Sequence, residues 1–112
     1  MRHYKIDDQV VIADKELSAG QELVANTSDG AGEKHVPVIS KEGNVVTVKV
    51  GEVEHPSLPA HFIGWILIET ASGFQIRYLK PGMKPEAVFT EAEPVVAAYE
   101  YCNLHGLWKA EG

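Results

Sequence analysis

Short runs of β-branched and aromatic residues follow one another along this chain, each cut off by turn residues, and nowhere does a helical stripe persist for ten residues. Val45 to Val50 alternates, with Val46, Val48 and Val50 on one face and Val45, Thr47 and Lys49 on the other. Phe62 to Thr70 is apolar on both faces, which predicts a central strand covered from two sides. Gln9 to Ala13, Phe74 to Leu79, Ala87 to Thr90 and Val95 to Tyr101 read as further strands. Lys80 to Pro85 reads as a turn, Asp29 to Gly32 as a flexible loop, and Leu58 to His61 as one helical turn at most. Many short strands at this spacing predict an all-β sandwich.

The length of 112 residues suits one domain, and a hydrophobic content of 45% supplies a core. A net charge of −6 argues against nucleic acid or an anionic membrane surface as partner. No apolar run reaches the roughly 18 residues of a membrane span. The first residues, Met1 to Asp8, lack the apolar stretch of a secretory signal. A single cysteine, Cys102, forms no internal disulfide, so a cytoplasmic location with a reduced thiol is expected. Residues 1 to 30 differ from the rest: polar, without aromatics after Tyr4, and without a pair of metal ligands. They are expected to be an extension, an edge hairpin or an oligomer contact, and residues 31 to 112 the functional domain.

Four of the five histidines lie in segments punctuated by Pro or Gly. His35 stands in Glu33-Lys34-His35-Val36-Pro37, His55 and His61 in Glu54-His55-Pro56-Ser57-Leu58-Pro59-Ala60-His61, and His105 in Cys102-Asn103-Leu104-His105-Gly106. A cysteine and a histidine three residues apart reach one ion when a turn intervenes, and Asn103 and Gly106 favour a turn. Structural zinc takes four ligands rich in cysteine; four imidazoles and one thiolate point instead to iron or copper with an open position. Two plainer readings stand beside this one. A buried free cysteine also packs as a small hydrophobe, and Glu33-Lys34 is also an ordinary solvated pair. Nothing around His3 supports ligation.

Together these segments resemble the iron domain of the superoxide reductases, the group that includes neelaredoxin and desulfoferrodoxin. The resemblance runs through Glu33 to Ile39, Val50 to Pro56, His61 to Ile66, Leu79 to Gly82, Pro85 to Phe89 and Tyr101 to Lys109. It implies an immunoglobulin-like seven-stranded β-sandwich holding one mononuclear non-haem iron per chain. It further implies His35, His55, His61 and His105 as equatorial ligands and Cys102 as the axial thiolate. Glu33 is implied as the carboxylate that takes the open position in the ferric state, and Lys34 as the cation that draws in superoxide. The implied activity is reduction of superoxide to hydrogen peroxide, with electrons from rubredoxin or a similar small carrier, in a homo-oligomer (dimer or tetramer). Backbone N–H groups of Leu104 and His105 are expected to hydrogen-bond the sulfur. Relatives with an N-terminal desulforedoxin domain carry four cysteines there; this segment has none, which excludes a second iron centre of that type. Ser57 and Gly64 stand where many relatives carry larger residues. A non-catalytic iron electron carrier, or a sandwich with structural zinc or no metal, are the alternatives.

Overall fold

A computed structural model describes residues 1–26 and 32–112 of the chain. The expected loop at Asp29 to Ala31 lies outside the described residues. Strands β1 (Arg2–Ile6), β2 (Gln9–Ala13) and β3 (Gln21–Glu22) form an N-terminal sheet in the order β2-β1-β3. A single helical turn, α1 (Gly32–His35), leads into β4 (Pro37–Glu42) and β5 (Val45–Val50). Then come β6 (Ile63–Thr70), β7 (Gly73–Tyr78), β8 (Glu86–Thr90), β9 (Ala97–Cys102) and β10 (Gly106–Glu111). The last seven strands make a four-stranded sheet, β10-β9-β6-β7, and a three-stranded sheet, β4-β5-β8. All described pairings between these strands are antiparallel.

The two larger sheets face each other as the expected sandwich. Their shared core holds Val46, Val48 and Val50 of β5, Ala87 and Phe89 of β8, and Ile63, Ile66 and Ile68 of β6. The register Val46↔Phe89 and Val48↔Ala87 keeps these residues on one face. The opposite face of β6 presents Trp65 and Leu67, which pack with Ala97, Tyr99 and Leu107 beneath Val10, Ile12 and Leu23 of the N-terminal segment. Thus β6 is covered on both sides, as its unbroken apolar run predicts. A bulge at Gly64 reverses the alternation there, so that Ile63 turns inward and pairs with Cys102.

The structure differs from the sequence reading at several places. Leu58 to His61 is not helical. Leu58 and His61 exchange backbone hydrogen bonds of 2.9 and 3.0 Å across Pro59 and Ala60. Proline at the second position of a four-residue turn sets the φ that such a turn needs. Strands β1, β3, β4 and β10 were not expected; β4 is an edge strand whose outward residues are polar or half-exposed. On β7 the expected apolar face is only partly covered, and Tyr78 is 73% exposed at the sheet edge. Among the described residues no helix is long and apolar enough to cross a membrane.

Residues 1 to 26 do not dangle. Asn26 bridges Trp108 in parallel, with hydrogen bonds of 2.9 Å to Leu107 and Lys109, which covers the free edge of β10. His3 is buried between Trp65 and Tyr99, with ring centroids 6.0 and 4.7 Å away. Neither ring nitrogen finds a hydrogen-bond partner among the described residues. Burial, together with the nearby N-terminal ammonium and Lys109, pushes its pKa down from 6.5 to about 4. A depressed imidazole pKa means the unfolded chain binds the extra proton first. The contribution is therefore intact above pH 6.5 and is lost as pH falls toward about 4. Urea unfolding of the metal-free protein should show this loss, and His3→Leu should flatten the profile within that window. An unchanged profile in the variant would place the acid sensitivity elsewhere.

Candidate metal centre

Five donors arrive at one end of the sandwich from four separate segments. His35 closes α1, just before β4 opens at Pro37. His55 follows the turn after β5, its N–H bonded to the Val50 carbonyl at 2.9 Å. His61 ends the tight turn that precedes β6. Cys102 is the last residue of β9, and His105 sits in the three-residue connection to β10. Gly106 closes that connection with φ of 82°, a left-handed conformation that favours glycine and completes a known three-residue hairpin form.

The ligating atoms of His35, His61, Cys102 and His105 all lie within 4.8 Å of one another. His55 joins them: its Nε2 is 3.2 Å from His35 Nε2 and 3.5 Å from Cys102 Sγ. His105 Nδ1 stands 3.7 Å from the same sulfur. Donors about 2.1–2.3 Å from a common ion stand about 3 Å apart when adjacent and about 4.3 Å when opposite. The observed separations fit one ion with five protein donors. His61 Nε2 is buried without a hydrogen-bond partner, as expected of a lone pair reserved for a metal.

The supports are visible as well. His55 Nδ1 lies 2.7 Å from the Pro56 carbonyl, which selects the tautomer that leaves Nε2 free. The His35 ring stacks on Trp108 at 4.7 Å, and the Trp108 indole N–H donates to the His105 carbonyl at 3.1 Å. Gly51 admits α1 at close quarters. A Cβ there would stand 2.7 Å from the Glu33 carbonyl oxygen, and that same oxygen accepts a bond from Val53 N–H at 2.9 Å. Ser57 has a function that its size conceals: its hydroxyl accepts the Gly82 N–H at 2.9 Å and anchors the Lys80–Pro85 turn. Gly64 is roomy, with the nearest atom to an added Cβ at 3.8 Å.

Burial and charge together favour the neutral form of two of the imidazoles, His55 and His61. Burial, then the positive potential of His35, His61 and His105, outweighs the Pro56 hydrogen bond and lowers His55 to about 4. His61 is lowered by burial, by His105 and by Lys34. The Lys34 ammonium is exposed, yet its field reaches His61. The Cys102 thiol is pushed up by burial and by Glu100, and pulled back by the backbone N–H groups of His105 and Leu104, the two that the sequence reading names.

Glu33 is exposed on α1 beside a groove shared with Val38, Lys41 and Glu52, and its carboxylate is not among the converging donors. His3 lies on the far face of β6, away from the cluster. Glu100 went unremarked in the sequence. It is fully buried two residues before Cys102, both carboxylate oxygens lack a partner among the described residues, and burial raises its pKa well above the usual range. Its parity with Cys102 in the strand was the available signal.

The desulfoferrodoxin family model matches residues 27–111. This chain belongs to the desulfoferrodoxin family. A desulfoferrodoxin of Clostridium acetobutylicum is 48% identical over 100 residues, covering 86% of this chain and 79% of that protein. A superoxide reductase of Thermococcus kodakarensis is 38% identical, covering 76% of this chain and 90% of that one. Among solved structures, the superoxide reductase from Treponema pallidum superposes with a TM-score of 0.85 at 33% identity and covers 99% of both chains. The N-terminal sheet is therefore part of an architecture shared with that protein.

In a desulfoferrodoxin-family site built this way, metal uptake must displace the thiol proton, while burial already favours the neutral form of His55 and His61. Loading the metal-free chain at about pH 8 should release about one proton per chain. Calorimetry in buffers of different ionisation enthalpy measures it, and Cys102→Ser should abolish it. Release persisting in that variant would assign the proton to another group.

Proposed function

We propose that this chain reduces superoxide to hydrogen peroxide at one mononuclear iron, held by His35, His55, His61, His105 and Cys102. The observation that carries this is the convergence of four imidazoles and one thiol within bonding reach of a single ion. When bound, iron supplies one electron by passing from the ferrous to the ferric state, so that superoxide, one electron and two protons give hydrogen peroxide. A buried sulfur braced by two backbone N–H groups provides a strong, fixed donor on the protein side. His35 and His55 are sunk in the protein, whereas His61 is half-buried and His105 exposed, which leaves the site approachable. That approachability favours catalysis over a closed electron carrier.

Lys34 places a positive charge beside an entrance to a protein of net charge −6. It is assigned to attract the superoxide anion. Glu33, outside the donor cluster and next to Lys34, is assigned as a carboxylate that would bind the iron when it is ferric and leave it when it is ferrous. Residues 31 to 112 carry the chemistry in this reading, and residues 1 to 30 are an extension whose Val10, Ile12 and Leu23 pack on the outer face of β6. The ferric site needs a reductant, and rubredoxin or a similar small carrier fits. A thiolate donor suits a reducing compartment such as the cytoplasm. Assembly as a dimer or tetramer completes the proposal and is decided by light scattering.

Pulse radiolysis of the iron-loaded protein should yield peroxide without dioxygen; dioxygen at half the superoxide consumed would indicate dismutation and refute the assignment. Lys34→Ala should slow the encounter by about three- to tenfold at low ionic strength and flatten its salt dependence, since exposed charges are screened over about 10 Å at 0.1 M. Iron content should stay unchanged. Glu33→Ala should leave the encounter rate near wild type but alter the oxidised spectrum and its response to added anions. An unaltered rate and salt slope in Lys34→Ala would make that residue an ordinary surface lysine.

A further inference from the structure

Asn103 binds one segment three times. Its backbone N–H donates to the Phe62 carbonyl at 3.2 Å. Its side-chain Oδ1 accepts the Phe62 N–H at 2.9 Å, and its Nδ2 donates to the Ala60 carbonyl at 3.0 Å. The two side-chain bonds straddle His61. The orientation of the amide is dictated by its partners, because a peptide N–H can only donate and a carbonyl can only accept. His61 is held from the other side by the paired backbone bonds to Leu58. Asn103 itself follows Cys102 directly and precedes His105 by two residues.

We infer that Asn103 is a positioning residue that fixes the His61 imidazole relative to Cys102 and His105. This rests on the reading of His61 as a ligand. The physical reason is that His61 comes from a loop, whereas Cys102 ends a strand with full ladder pairing. A loop donor left to itself samples many positions, and each must be surrendered when a metal binds. The Asn103 amide removes that freedom in advance by extending a sheet-like pairing past the end of β9. No other side chain of similar size presents an acceptor and a donor at this spacing. Aspartate keeps the acceptor for Phe62 but sets a second oxygen against the Ala60 carbonyl, and alanine loses both contacts.

Partners that orient ligands typically change metal affinity by about 10–100-fold when removed. The test titrates Fe(II), without oxygen, into the full-length chain against a chromophoric chelator. Four chains are compared with wild type: Asn103→Ala, Asn103→Asp, His61→Ala, and Asn103→Ala combined with His61→Ala. Asn103→Ala should weaken Fe(II) binding by about 10-fold or more. In the His61→Ala background the same change should have little further effect, because Asn103 acts through that ring. Iron bound by Cys102 should give the oxidised protein a visible thiolate-to-iron charge-transfer band; in Asn103→Ala that band should persist but shift, since Cys102 is untouched while the ligand field changes. If Asn103→Ala fails to fold, Asn103→Asp carries the same comparison with one bond preserved. Wild-type Fe(II) affinity in a folded variant, with only the melting temperature of the metal-free chain reduced, would show a merely structural brace and overturn the inference. Equal losses from Asn103→Ala with and without His61 would overturn it too. If His61→Ala itself binds Fe(II) as wild type does, the ligand reading fails and the inference with it. A loss in His61→Ala alone sinks only the role given to Asn103.

Discussion

Burial of β6 on both faces is the constraint from which the rest of the molecule follows. Ile66 and Ile68 look into the sandwich, and Trp65 and Leu67 look out at the N-terminal sheet. Each fully buried side chain of this kind stabilises by roughly 1.5–3 kcal/mol, so a one-residue slip of the strand would forfeit both layers together. That fixed register carries through the Gly64 bulge to the pairing of Ile63 with Cys102. The sulfur therefore inherits its position from the hydrophobic core. The loop donors are then gathered around a point that the core has already set.

Electrostatics at this point works by exclusion of water more than by pairing of charges. Burial is the largest cause of the shift at His55, at His61, at Cys102 and at Glu100. It favours the neutral form of each group, which suits imidazole lone pairs and opposes ionisation of the thiol. Only a bound cation, aided by the two backbone N–H groups at the sulfur, reverses that balance for Cys102. Burial likewise favours the protonated form of Glu100, whose carboxylate is not among the converging donors.

Those parts of the fold that depend on local pattern were legible in the sequence. Val45 to Val50 shows its buried face by strict alternation, and Phe62 to Thr70 shows burial on two sides by having no alternation at all. The strands that escaped notice had other reasons to be polar. β4 begins at a proline and runs along an edge, and in β1 the buried His3 and Tyr4 are flanked by exposed Arg2 and Lys5, which lie on opposite faces of the strand. β10 opens at Gly106, directly after the Cys-x-x-His turn, so the ligand spacing drew the eye away from the strand that follows it. At the site, the donor types announced themselves, and the family likeness grouped them. Their supports did not. Gly51 matters because a carbonyl from α1 passes beside it, and Trp108 because His35 lies flat upon it. Such contacts join residues far apart in the chain, and no local rule encodes them.

The donors come from positions 35, 55, 61, 102 and 105, and the thiol and the last imidazole arrive on the final hairpin. A chain emerging from the ribosome therefore holds three imidazoles long before it has a sulfur to complete the set. The full set of four imidazoles and one sulfur exists only once β9 lies beside β6 and the final hairpin has closed. Capture by all five donors is therefore tied to the non-local assembly of the sheets, and the apolar architecture sets when the complete cradle is ready.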